Sequence, residues 1–368
     1  MNLFKITQLL SIFILFNLIA CSDPVMNEPD SKQQVIERLK LNNNWLFVNS
    51  SDQLTESPMP FNQDYLANRH EIYKLLQQFT HHASTQKQLE YLIIEERFPE
   101  RFYPWPPSKN VLLPILDNRQ GSEFDVLATK VTAWLNFVEA TLADNRNDRL
   151  ALNRIELAQI KEFALELKKQ LELSSDTRPS TEQLVAQLVQ FNEFLSVYRP
   201  RASMSLSQQP NGSDWYQAKL NYYTGLSKSP NDWLNDIFSA QKNSSEGDMA
   251  HHLKTLHNLQ SSLSLDDLLT LFNAPKNLNG LDWRTGYVDV VAAFKEVKVP
   301  ELTPAHRKAA LTLAAVDLGV HYQSWSYLHA EQFLIEQLAI QKQQAEALIH
   351  FVVLQPGVSI APAAQLYL

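Results

Sequence analysis

Residues 149–173 read RLALNRIELAQIKEFALELKKQLEL, and the placing of their apolar side chains points to the fold class. Leu152, Ile155, Ile160, Phe163, Leu167 and Leu171 return every three to five residues, which lines them along one face of a helix with 3.6 residues per turn. Glu, Gln and Lys fill the opposite face, and all three are good helix formers. Working back along the chain, residues 123–145 carry a similar pattern and are expected to pair with 149–173 as an antiparallel hairpin. Further upstream, Leu66, Ile72, Leu75, Leu76 and Phe79, then Leu89, Leu92 and Ile93, describe two more amphipathic helices. Between these groups, residues 99–107 hold four prolines, which lack the backbone donor a helix needs, so an extended connection is expected there.

Downstream, Ser180 with Gln183 matches a capping box and predicts a helix reaching Tyr198, closed by Arg199-Pro200. Ser229-Pro230-Asn231-Asp232 supplies a cap hydroxyl, a proline at the first helical position and an acid at the positive end of the helix dipole. Helices are further expected from near Asp214, Asp248 and Ser264, over 283–297, from Thr303-Pro304 to His321, and over 327–340 and 343–354. Pro356-Gly357 then ends regular structure. The chain therefore reads as all-α, a large irregular multi-helix body with proline-rich connections. Composition agrees: 8 glycines in 368 residues is about a third of what ordinary usage near 7 % gives, which leaves few tight turns. Seven tryptophans and twelve tyrosines are spread along the chain and are expected to pack between helices.

The first residues, MNLFKITQLLSIFILFNLIAC, place one cation, Lys5, before an apolar run, as a secretory signal does. That run falls short of the ~20 apolar residues a membrane-spanning helix needs. It ends in Leu18-Ile19-Ala20-Cys21, which matches a bacterial lipobox: a branched apolar residue, a small residue before the cleaved bond, and a thiol to accept diacylglycerol. Cleavage between Ala20 and Cys21 with acylation of Cys21 is expected. Cys21 is the one cysteine in the chain, so no internal disulfide can form, and lipidation gives the odd thiol a purpose. Residues 21–32, with Pro24 and Pro29 and no periodicity, read as a flexible tether. Ser22 after the anchor points to the outer membrane, facing the periplasm. The body divides on this reading into helical regions 33–200 and 201–368.

The formal charge of −8 becomes −9 when the signal, with its single lysine, is removed. An acidic surface without clustered Lys and Arg does not suit nucleic acid, whose non-specific binding is driven by counterion release. Hydrophobic residues make up 45 % of the chain, ample for a sizeable core.

Residues 310–361, ALTLAAVDLGVHYQSWSYLHAEQFLIEQLAIQKQQAEALIHFVVLQPGVSIA, carry a more particular pattern. Val316-Asp317-Leu318-Gly319-Val320-His321, then Trp325, Ala330 and Gln355-Pro356-Gly357, resemble the end of the bacterial family called domain of unknown function 885. Upstream, Gly212-Ser213-Asp214-Trp215-Tyr216, Leu220 to Thr224 and Ser229-Pro230 resemble that family's segment before its catalytic helix. Together these cover about the last 160 residues. The resemblance implies a zinc-peptidase-like ancestry, in which a His-Glu-x-x-Pro-Gly-His motif holds the metal and a glutamate activates its water. This chain lacks that motif. Its His-Glu pair, His70-Glu71, lies far upstream and is followed by no second histidine.

Substitute ligands are few. His252 and His257 are five apart and His251 and His257 six apart, neither of which stacks two imidazoles on one helix face. Asp289, in Gly286-Tyr287-Val288-Asp289, faintly resembles the family's Tyr-x-Glu ligand region, and His81-His82 reads as surface. Asp317 and His321, four apart, share a helix face. They either orient a substrate or form a polar bridge that fixes the C-terminal helices. No Gly-x-Ser-x-Gly elbow, phosphate loop or Rossmann glycine pattern occurs. The expectation is a lipid-anchored, peptidase-like protein that binds a peptide or envelope protein, or serves as a scaffold, without catalysis and without a cofactor. The alternative is a divergent zinc hydrolase that recruits His321, His252 and Asp289.

Overall fold

A computed structural model describes residues 31–44, 63–81, 83–96, 122–147, 151–173, 178–246 and 304–366. The expected signal, Cys21, the tether, the proline-rich 99–107 connection, His252, His257, Asp289 and the helices near 248, 264 and 283–297 lie outside these residues. Twelve helices make up the described part: α1 (Lys32–Asn44), α2 (Gln63–Leu76), α3 (Ala83–Glu95), α4 (Ser122–Asn147), α5 (Arg154–Leu173), α6 (Pro179–Val197), α7 (Gly212–Thr224), α8 (Pro230–Glu246), α9 (Pro304–His321), α10 (Tyr327–Leu338), α11 (Lys342–Leu354) and α12 (Ile360–Leu366). The fold is all-α. Among the described residues the β-structure amounts to an isolated bridge between Asn153 and Arg201, and no helix is long and apolar enough to cross a membrane.

Arg154–Leu173 form α5, and Ile155, Ile160, Phe163, Leu167 and Leu171 are buried as their spacing requires. The helix begins later than 149 because Asn153 caps it. Its Oδ1 accepts from the backbone N–H groups of Ile155 at 2.9 Å and Glu156 at 3.0 Å. Glu156 answers by accepting from the Asn153 N–H at 2.6 Å, closing a reciprocal cap. The capping box expected at Ser180 does not form. Pro179 takes the first helical position, its missing N–H costing nothing there, and moves the start two residues earlier. The Ser180 hydroxyl turns instead to the Asp125 carboxylate of α4. At α8 the expected start holds: Ser229 Oγ accepts from the Asp232 N–H at 3.1 Å and donates to the Asp232 carboxylate at 2.6 Å.

Three apolar cores follow from the packing. α4, α5 and α6 enclose one of them, with Tyr65 of α2 added. The largest joins α1, α2 and α3 to α7, α9, α10 and α11, so it draws side chains from both sides of residue 200. The third lies between α7, α8, α9 and α12. α9 touches the second and third of these groups along its length, and Ala309–Val320 are buried on every face. Trp233, Tyr65, Tyr73 and Tyr216 are among the largest fully buried side chains, and Tyr91 stacks on Tyr222 with ring centroids 4.4 Å apart, so aromatic rings here serve as helix-packing groups.

Candidate functional site

α9 brings Asp317 and His321 onto one face, one turn apart, as the spacing predicts. Both are fully buried at 0 % exposure. They do not bond to each other. Asp317 receives the C-terminal turn: the Gly357 N–H donates to both of its oxygens, at 3.0 and 2.9 Å. The Ser359 hydroxyl donates to Oδ2 at 2.5 Å, and the Tyr216 hydroxyl of α7 donates to Oδ1 at 2.8 Å. One carboxylate thus ties α9 to α7 and to the turn that leads into α12. Gly357 adopts φ +84°, a left-handed conformation that glycine reaches without strain and that directs its N–H at Asp317.

His321 bonds to a different helix. Its Nε2 lies 3.0 Å from the Val352 carbonyl of α11, and since a carbonyl only accepts, Nε2 carries the proton. Nδ1 is then an acceptor, and it meets no donor. The ring tilts against that of Tyr216, with centroids 5.4 Å apart. The His321 backbone carbonyl accepts from Ser205 Oγ at 2.9 Å and from the Ser207 N–H at 3.2 Å, which fastens the α6–α7 loop to the end of α9.

Burial governs the charges. Loss of solvent pushes the Asp317 carboxyl from 3.8 up to about 6, against the pull of hydrogen bonds from Ser359, Tyr216 and Gly357, which favour the ionised form. His321 moves the opposite way: burial lowers it from 6.5 to about 3, the Val352 bond raises it, and the charges of Arg201 and Lys219 lower it further. Tyr216 is raised by burial and then by the Asp317 charge. At neutral pH the centre therefore holds a neutral imidazole and an anionic carboxylate whose oxygens are engaged by three donor groups.

The rest of the motif-like segment has a steric reading. Gly319 lies under the Trp325 indole: a Cβ there would sit 2.3 Å from the ring. His329 stacks on Trp325 at 4.3 Å, and Phe333 meets it edge-on at 5.1 Å. Ala330, also fully buried, packs in the largest core. Of the candidate residues, Asp317 and His321 are placed together on α9. His252, His257 and Asp289 lie outside the described residues, within which no group of three His, Cys, Asp or Glu side chains is set to share a metal ion. Sequence reasoning missed the partners of Asp317. Tyr216 and Ser359 stand far from it along the chain, and no local pattern links them.

No family model matches the chain, and no curated protein does. Among solved structures the chain is similar in fold to the crystal structure described as "the putative lipoprotein from Colwellia psychrerythraea", with a TM-score of 0.52 at 11 % identity over 91 % of each chain. The class defined by these findings is an all-helical body with a buried polar centre, and at that identity the likeness extends to the fold alone.

Proposed function

We propose that the protein is a lipid-anchored envelope lipoprotein, a peptidase-like relative of the domain of unknown function 885 family that acts by binding and not by hydrolysis. Acyl chains on Cys21 hold it on the outer membrane facing the periplasm, each buried methylene adding about 0.8 kcal/mol to the attachment. The lipobox residues support the anchor, and the structural neighbour's description is in keeping with it. The observation that carries the non-hydrolytic reading is Asp317: it is buried at 0 % exposure, and its two oxygens accept from Tyr216, Gly357 and Ser359. A carboxylate so engaged has neither an open oxygen for a metal nor a path to substrate. His321, 0 % exposed and committed to the Val352 carbonyl, is likewise withdrawn from chemistry.

Labelling of the full-length protein in cells, and metal and cleavage assays on the same protein purified in detergent micelles, test this. Metabolic labelling with a radioactive fatty acid is expected to mark the wild type and to fail with Cys21→Ala, which then leaves the membrane fraction. Metal analysis is expected to find no stoichiometric zinc, and incubation with a peptide library no chelator-sensitive cleavage. Zinc at one per chain together with such cleavage overturns the reading in favour of a divergent hydrolase that draws on His252, His257 and Asp289.

A further inference from the structure

We infer that Asn211-Gly212, at the start of α7, is a site of covalent self-modification, in which Asn211 loses its side-chain amide to attack by the backbone at a rate set by opening of the first turn of α7. Glycine after asparagine leaves the attacking backbone nitrogen least hindered, because no side chain stands beside it. Asn211 is exposed, and its side chain makes no capping bond to the helix it precedes. In the reaction the Gly212 nitrogen bonds to the Asn211 side-chain carbonyl carbon. The carboxamide C–N bond breaks, and ammonia leaves with the proton that the backbone nitrogen gives up. Water then opens the cyclic imide at one carbonyl to give aspartate, or at the other to give isoaspartate, in which the chain runs through the side chain.

The fold controls when this happens. Gln209-Pro210-Asn211-Gly212 closes as a β-turn, with the Gly212 N–H donating to the Gln209 carbonyl at 2.9 Å. Asn211 has φ +54° and ψ +16°, and with proline ahead of it the turn is of type II, whose third position takes glycine or asparagine. At that ψ the Gly212 nitrogen is turned away from the Asn211 side chain, so ring closure requires rotation about ψ. The rotation breaks the Gly212 bond to Gln209 and the Trp215 N–H bond to the Asn211 carbonyl, 3.1 Å long. Gly212 is buried, and a Cβ on it would collide with the Leu206 carbonyl oxygen, which leaves little room for the movement within the folded turn. Tyr216, one turn along α7, is tied to Asp317 at 2.8 Å, so the contact that joins α7 to α9 also holds the turn shut. Reaction therefore proceeds from the minor, locally opened population. Isoaspartate adds a carbon to the main chain ahead of Gly212 and takes the carbonyl that Trp215 bonds out of it. The loop whose Ser205 and Ser207 grip the His321 carbonyl then loses its fixed junction with α7.

The modification needs neither lipid nor metal, so its test is independent of the labelling and cleavage assays. Full-length protein in detergent micelles is incubated at 37 °C at pH 7 and pH 9, folded and in urea. Mass spectrometry of the peptide holding residue 211 follows conversion of amide to carboxyl, and fragmentation tells isoaspartate from aspartate. Conversion is expected in the folded protein, at least about tenfold slower than in urea. It should be faster at pH 9, because the attacking nitrogen must shed its proton. Tyr216→Phe, which frees α7 from Asp317, is expected to speed conversion of the folded protein about threefold or more, the worth of one hydrogen bond, without changing the rate in urea. Ser205→Ala, which cuts the loop's bond to the His321 carbonyl, should act in the same direction, and circular dichroism shows which variants are folded. Asn211→Gln, whose longer side chain would have to close a six-membered ring, is expected to stay unmodified. No conversion in the folded chain while the urea sample converts, equal rates folded and in urea, or rates unchanged in the folded variants overturns the inference.

Discussion

Replacing Asp317 by Asn should make the protein sensitive to acid in a range where the wild type is not. The two buried groups on α9 respond to pH in opposite directions. The Asp317 carboxyl titrates near 6 in the folded chain and near 3.8 when unfolded. The folded state therefore takes up its proton first, and this group adds stability as pH falls from 6 towards 3.8. His321 titrates near 3 when folded and 6.5 when unfolded. Its contribution is complete above 6.5 and is lost as pH falls towards 3, because the unfolded chain protonates first. Each group carries a slope of about 1.36 kcal/mol per pH unit within its window, with opposite signs. Between pH 6 and pH 4 the two nearly cancel. Asn keeps an acceptor oxygen for Gly357 and Tyr216 and turns its amide to the Ser359 oxygen, so the variant folds, but the opposing slope is gone. Urea denaturation of both proteins at pH 6, 5 and 4 is expected to show Asp317→Asn losing about 3 kcal/mol relative to wild type over that range. His321→Gln, whose amide can still donate to Val352, is expected to gain a similar amount. Parallel pH curves for wild type and both variants would refute the assignment of opposed titrations to this pair.

Two further substitutions probe the packing around that centre. Gly319→Ala forces a methyl group into the Trp325 ring, 2.3 Å away, and is expected to cost roughly 1–3 kcal/mol and to shift the tryptophan emission as the indole moves into water. Asn153→Ala removes the acceptor for two N–H groups at the start of α5. It should lower stability by about 1 kcal/mol, read as a lower urea midpoint with unchanged slope.

The helices were legible because their information is local. The three-to-five spacing of Leu152 to Leu171 and the Ser229-Pro230-Asn231-Asp232 start each act within one or two turns, and both appear where the sequence places them. Errors arose where two local signals competed. Pro179 overrode the Ser180 box, and the start of α5 went to Asn153-x-x-Glu156, a reciprocal cap built from Asn in place of Ser or Thr. α12 was missed because Pro356-Gly357 reads as a stop, whereas here it is a turn that Asp317 holds, after which the chain resumes helix at Ile360. The pairing of Asp317 with Tyr216 and Ser359 was beyond sequence reasoning for another reason. Those contacts span 101 and 42 residues, and helical periodicity relates only positions within a few turns.

Asp317 and His321 are therefore linked to the surface by structure. His321 gives its imidazole to α11 through Val352 and its carbonyl to Ser205 and Ser207. Ser207 and Gln208 in turn meet Ser324, and Trp325, seated on Gly319, orients Gln323. Contacts thus run from Asp317 through the Tyr216 side chain to the His321 ring, and from the His321 carbonyl to the facing loops 198–211 and 322–326. Loosening the interior should then blur the loops before it unfolds the helices. If Asp317→Asn at pH 4 kept its helical circular dichroism while Tyr322 lost protection from a water-soluble quencher no faster than in wild type, the coupling between centre and loops would be absent. The buried pair would then serve packing alone.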